Sequence, residues 1–172
     1  MHSRITALTA VAGCQLVESV YPPDLILPPH AHDITNVSIV LSGTIEEESA
    51  RGKIVAGPGC VVFKPAGTEH CNRIGSNGAV LFALRLDPRW RDIAARIATY
   101  LWCSQDGIAR ALLRLYAFAR AAADAPQAHV DEGVMRWLFQ FTQYSDPTPM
   151  RSTPSWLTAL QQRLHLQADQ TT

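Results

Sequence analysis

Between Val11 and Leu86, short runs of alternating apolar residues are cut repeatedly by glycine and proline. The cuts fall at Pro22-Pro23, Gly43-Thr44, Arg51-Gly52, Gly57-Pro58, Pro65 with Gly67, and Ser76-Asn77-Gly78. Glycine and proline in this pattern mark turns between short extended runs. Short strands at close spacing are the mark of a β-barrel or double-sheet jelly roll. The expected strands are QLVESVY, DLILPPH, Ile34 to Leu41, Thr44 to Ser49, Lys53 to Ala56, Cys60 to Lys64, Thr68 to Asn72 and Ala79 to Leu86. The pair Thr44–Ser49 and Lys53–Ala56 reads as a hairpin closed around Arg51-Gly52. The acids Glu46, Glu47 and Glu48 read as a solvated edge, which discourages edge-to-edge pairing.

The period changes at Asp87. Asp87-Pro88 is a helix cap followed by proline at the first helical position, and Trp90, Ile93, Ile97 and Tyr100 recur at helical spacing. A second helix is expected over about Gln105 to Ala122, with Ile108, Leu112, Leu115 and Ala119 on one stripe and Leu113 and Tyr116 on another. A third is expected over about Ala128 to Tyr144, and a fourth opens at Thr153-Pro154. The expected organisation is therefore a mainly β chain with appended α: a β-barrel over 1–86, a helical unit over 87–145, and a linker, final helix and polar tail over 146–172. The doubly apolar second helix predicts a homodimer through the helical half.

Composition excludes several classes. Fifteen Lys and Arg balance fifteen Asp and Glu, so there is no electrostatic footprint for nucleic acid or an acidic membrane. The arginines between Arg85 and Arg120 read as a solvated helix face. No run has the length of a membrane helix, and the N-terminus has no firm signal-peptide core. Cys14, Cys60, Cys71 and Cys103 form no CxxC pair, which fits free thiols in a cytoplasmic protein.

Three histidines concentrate the chemistry. His30 and His32 are two apart, so on a strand they share a face, and Asn36 and Ser38 continue that parity. Pro65 and Gly67 break the chain before His70, a bend that can aim a third imidazole at the first two. Asn72 follows at even parity. Three readings stand. His30, His32 and His70 bind a divalent Zn, Ni, Fe or Cu, with Asn36 or water completing the shell. They contact an organic effector, with Asn36, Ser38 and Asn72, in a metal-free apolar pocket. Or they are structural histidines satisfied by backbone. Phe63, Phe82 and Leu84 are the candidate apolar walls. None of Asn36, Ser38 and Asn72 is a good general base, which argues for binding over turnover and names no catalytic residue. Lys64 and Glu69 flank the second bend, with no facing fixed by the sequence.

The stretch PPHAHDITNVSIVLSG resembles the first cupin motif, with His30, His32 and Gly43 in place and Asn36 where an acid is usual. GPGCVVFKPAGTEHCN resembles the second, through Gly59, Pro65, Gly67 and His70; Ile74 stands at its usual final Asn. Together with the helices that follow, the chain resembles the N-terminal sensor domain of AraC-type transcription regulators. The resemblance implies a barrel holding a small-molecule effector, helices pairing two subunits, and a junction at TPSWLTALQQRL leading to a DNA-reading domain. Few residues follow Leu166, so no DNA binding is expected of this chain alone. Cupins also include metal-dependent dioxygenases and isomerases, and a stand-alone metal-binding cupin is the alternative function.

Overall fold

The computed structural model describes residues 3–11, 14–87, 101–103, 106–121, 132–137 and 139. Eight strands come first: β1 (Arg4–Val11), β2 (Cys14–Tyr21), β3 (Ile26–His30), β4 (Thr35–Ser49), β5 (Gly52–Ala56), β6 (Val61–Lys64), β7 (His70–Leu86) and β8 (Leu101–Cys103). One helix, α1 (Asp106–Ala121), follows, and 132–137 are also helical. The expected helix through Trp90 and Tyr100, much of the one over Ala128 to Tyr144, and everything from 146 onward lie outside the described residues.

All pairings are antiparallel, and the order is β1-β2-β7-β4-β6-β8, with β3 added to β7 and β5 to β4. β4 and β7 are long because each runs through a glycine that reads as a turn in the sequence. Gly43-Thr44 lies inside β4, and Ser76-Asn77-Gly78 lies inside β7. The register of the two strands jumps there: Gly43 faces Ala79, but Ile45 faces Ile74. The first part of β4 and the last part of β7 pair with β6 and β2. The remaining parts pair with β5 and β3. The sheet thus bends into two halves, and its two longest strands run through both.

Two glycines make the bend possible. Gly43 has φ 73° and Gly78 φ 71°, conformations that cost a side-chain-bearing residue but not glycine. A Cβ on Gly43 would overlap the carbonyl oxygen of Gly78, and a Cβ on Gly78 would stand 2.7 Å from that of Tyr21. Both neighbours are backbone, which cannot rotate aside.

The outer face of the first half carries the main core. Leu16, Val37, Ile39, Val61, Phe63, Phe82, Leu84 and Leu86 pack against Ile108, Leu112, Leu115 and Ala119 of α1 and against Val134 and Trp137. The expected α1 stripe is the buried one. Trp137 donates its indole N–H to the Ile108 carbonyl at 3.2 Å, the partner a buried indole needs. Tyr116 donates its hydroxyl to Glu18 of β2 at 2.5 Å and lies 5.1 Å from the Phe82 ring, tying α1 to the sheet. Phe63, Phe82 and Leu84, expected as pocket walls, therefore point the other way, into the helix contact.

Two further differences matter. β1 lies beyond the expected strands, and it extends the sheet to Arg4 through pairing with β2. β8 falls within the span expected to be helical and pairs with β6. β3 accommodates Pro28 and Pro29 because it pairs on one side only, and its register shifts between Leu27 and His30; proline is confined to such edges and irregularities because it cannot donate.

Gly43→Ala is expected to lower the free energy of unfolding by at least about 2 kcal/mol, combining left-handed strain with a backbone clash. A Cβ on Gly57 would meet nothing within 4 Å, so Gly57→Ala is the control, expected within roughly 0.5 kcal/mol of wild type. Urea unfolding of both variants at unchanged m-value checks this; equal midpoints would refute the account of the bend.

Candidate functional site

The two halves of the sheet face each other across a cavity of about 70 Å³, room for several waters or one small ligand. Ser19, Asn36, Ser38, Lys64, Leu81, Ala83 and Arg85 come from the first half, and Leu27, His30, Ile45, Glu47, His70, Asn72 and Ile74 from the second. His32 joins from the turn between β3 and β4. All six residues singled out from sequence, His30, His32, Asn36, Ser38, His70 and Asn72, line this one cavity.

The histidines converge. Their ring centroids lie 5.1 Å (His30–His32), 4.4 Å (His30–His70) and 5.2 Å (His32–His70) apart. Pairing of β3 with β7 sets His30 directly opposite His70. His30 Nδ1 lies 2.8 Å from the Pro28 carbonyl, and His70 Nδ1 lies 3.0 Å from the Thr68 carbonyl. A carbonyl only accepts, so in both rings Nδ1 carries a proton, and the neutral ring keeps its lone pair on Nε2. Burial and the Lys64 ammonium hold His32 below its ordinary pKa of 6.5. The same two causes, burial first, bring His70 down to about 4.

Below the histidines lies a buried ionic network that sequence reading missed. Glu47, expected on a solvated edge with Glu46 and Glu48, is 3% exposed. Its Oε2 accepts from Lys64 Nζ at 2.9 Å and from Asn72 Nδ2 at 2.7 Å. Lys64 Nζ also lies 3.4 Å from His70 Nε2. Glu46 does stay outward, with Lys53 at 2.7 Å. Glu69 is exposed and takes no part. Two acceptors are left over: Asn36 Oδ1 and Glu47 Oε1 are buried and have no hydrogen-bond partner among the described protein atoms. A buried acceptor without a partner is expensive, so these atoms are candidates for ligand contact.

The residues suit a divalent ion in number and donor type. The ligand atoms of His30, His32 and His70 all lie within 4.8 Å of one another, and neutral imidazole suits Zn, Cu, Fe or Ni. The locked Nδ1–H groups are the outer hydrogen bonds that orient metal-binding imidazoles. Two cations oppose it: the Lys64 ammonium approaches the lone pair on His70 that a metal would take, and Arg85 bears on His32. His2, His129 and His165 lie outside the described residues. Cys14, Cys60 and Cys71 carry no disulfide. No helix among the described residues is long and apolar enough to cross a membrane.

The sequence profile of the AraC-like ligand binding domain matches residues 15–139. The solved structure of the AraC-like transcriptional activator CuxR superimposes with a TM-score of 0.66 at 16% identity, covering 98% of this chain and 65% of that one. The chain thus spans about two thirds of that activator's length. A protein of unknown function from Rhizobium leguminosarum bv. viciae 3841 gives a TM-score of 0.48 at 21% identity, over 51% of this chain and 83% of its own. A cupin superfamily protein from Desulfitobacterium hafniense DCB-2 gives 0.45 at 16%, over 50% and 78%. No curated protein sequence matches.

Two outcomes are expected at this site. Lys64→Met leaves Glu47 buried and uncompensated, and is expected to cost about 3–5 kcal/mol; the double variant Lys64→Met/Glu47→Gln recovers a large part, read by urea unfolding. The unfolded chain protonates the His70 ring below 6.5 and the folded chain only near 4. Stability is therefore full above 6.5 and falls as pH drops through that window. His70→Gln is expected to show a shallower fall over the same window, and an identical fall would contradict a buried neutral ring.

Proposed function

This chain belongs to the AraC-like ligand binding domain family, and we propose on that premise that it senses a small molecule in the cavity lined by His30, His32 and His70. The observation that carries the reading is the cavity's composition. Convergent polar groups, with Asn36 Oδ1 and Glu47 Oε1 unpartnered, sit among Leu27, Ile45, Ile74, Leu81 and Ala83. Most of the lining is polar or charged, and polar groups converging on one cavity are what orient a ligand and select it. Asn36, Ser38, His70 and Asn72 supply further contacts.

The helices supply the output. One sheet separates ligand from helix: Ser19 and Arg85 face the cavity, while their neighbours Glu18, Leu84 and Leu86 face α1. A ligand that favours one packing of α1 over another shifts that equilibrium by its differential affinity. Met135 at 43% and Phe139 at 67% exposure leave apolar surface on the helical side, which supports pairing of two copies through it. The functional units are then the barrel over 1–86 and a dimerising unit over 87–145.

A second reading is favoured by the His30 and His70 tautomers: a divalent Zn, Ni, Fe or Cu held by their two Nε2 lone pairs and a ring nitrogen of His32, with Asn36 as a further contact and Lys64 displaced. Such an ion would supply an electrophilic centre for an oxygen or nitrogen atom of the ligand.

A thermal-shift screen of the purified chain against a metabolite library tests the first reading, since a ligand at a hundred times its Kd adds about 2.7 kcal/mol. His30→Ala and His70→Ala are expected to abolish a hit's shift; an unchanged shift would move binding away from this cavity. Elemental analysis of protein never exposed to a metal column, followed by titration with each of the four ions, tests the second. No histidine-dependent uptake would remove it.

A further inference from the structure

We propose that the ligand is a small polyhydroxylated carboxylate, held by Arg85 and Lys64 at its acid end and by Asn36 and Glu47 at its hydroxyls. The inference rests on the sensor reading and narrows it to one chemical class.

The charge comes from three residues. Lys64 and Arg85 bring two positive charges to the lining and Glu47 one negative, which leaves one net positive charge. Lys64 is held by Glu47 at 2.9 Å. Arg85 has no ion pair among the described residues, is only partly buried, and sits close enough to bear on His32. A guanidinium presents a planar fork of donors matched to a carboxylate. One surplus charge matches a monoanion. A neutral ligand would offer the Arg85 guanidinium no counter-charge within the cavity, and a cation would be repelled.

The hydroxyls follow from the remaining polar atoms. Asn36 Oδ1 and Glu47 Oε1 are buried acceptors without partners among the described protein atoms; their residues are 9% and 3% exposed. The neutral His30 ring adds Nε2 as a further acceptor, because Nδ1 holds the proton toward Pro28. A bare carboxylate has no donor to offer any of them. Hydroxyl groups do, and each also accepts from Ser19, Ser38 or Asn72. The wall of acceptors selects a molecule with several O–H groups, and a site built around hydroxyls rejects analogues lacking them far more strongly than an apolar site does. Leu27, Ile45 and Leu81 leave the carbon skeleton in apolar surroundings.

Isothermal titration of the full chain with two matched series tests the class. Glycerate, glycerol and propionate share three carbons; gluconate, glucitol and hexanoate share six. In at least one series the hydroxy acid is expected to bind ten or more times tighter than both of its counterparts. Arg85→Met is expected to bring the hydroxy acid down to the affinity of the polyol. Asn36→Leu is expected to narrow the gap between the hydroxy acid and the bare acid. Arg85 is partly exposed, so the first variant retains the fold, and its unfolding midpoint is measured alongside. The inference is overturned if a polyol or bare acid binds as well as its hydroxy acid, if Arg85→Met leaves affinity unchanged, or if neither series binds. If neither series binds and a library compound of another class still gives a His70-dependent shift, the sensor reading survives and only this ligand class falls. If no library compound shifts the protein at all, the sensor reading itself falls.

Discussion

The close approach of Gly43 to Gly78 is the constraint on which the rest of the structure depends. Two strands of 15 and 17 residues cross both halves of the sheet, and each must turn sharply while staying paired. They do so at one place, where the backbones meet so closely that a single methyl group would strike a carbonyl. Local bulges of this kind bend a strand and sharpen its twist. Without the bend the sheet has one face to the helices and one to solvent. With it, the second half folds over the first, and the solvent face becomes the cavity wall. The site is a consequence of the bend before it is a consequence of any histidine.

The same bend explains what was legible in the sequence and what was not. Alternation is read by counting in twos, and a bulge flips every count beyond it. On β7, His70, Asn72 and Ile74 face the cavity; past the bend it is Leu81, Ala83 and Arg85. Counting straight through from His70 selects Phe82 and Leu84, which in fact lie under α1. On β4, Asn36 and Ser38 face inward, then Ile45 and Glu47. Counting straight through misses Glu47. The glycines were visible, but as turn signals; only the pairing of β4 with β7 shows that the chain continues through them. The inward residues near each histidine needed no such count, and the α1 stripe Ile108, Leu112, Leu115 and Ala119 was long enough to stand alone. β1 and β8 were unreadable for a different reason. Each is an edge strand whose pairing partner, β2 or β6, lies elsewhere in the chain, and β-propensity is set largely by such partners.

Glu47 and Lys64 show why a polar cavity persists in a domain this size. A buried ion pair often adds no stability over an apolar pair of like volume, because desolvation offsets the attraction. Here the carboxylate takes two donors, and the ammonium reaches a second acceptor on His70. The network joins β4, β6 and β7 across the cavity floor and fixes the direction of each side chain. It is also incomplete by one carboxylate oxygen and one amide oxygen. An apolar replacement would pack as well and would leave nothing for a ligand to complete. The polar floor makes sense if folding stability was traded against recognition.

The position of the helix contact limits how a ligand in the cavity, as proposed, could be felt. In a strand, adjacent residues face opposite sides, so Ser19 in the cavity wall and Glu18 on the outer side share one peptide bond. Glu18 receives the Tyr116 hydroxyl and lies 4.0 Å from Arg120. Burial and the neighbouring carboxylate raise the Tyr116 pKa to about 12, so the phenol keeps its proton at neutral pH and the bond stays a neutral donor to a charged acceptor. Such bonds contribute about 1.5–3 kcal/mol. Coupling between two sites is commonly worth about 1–3 kcal/mol. A shift of β2 large enough to break this one bond would thus be comparable to a full allosteric signal. A cavity on one face of β2 and a charge-assisted helix tether on the other need no longer path between them.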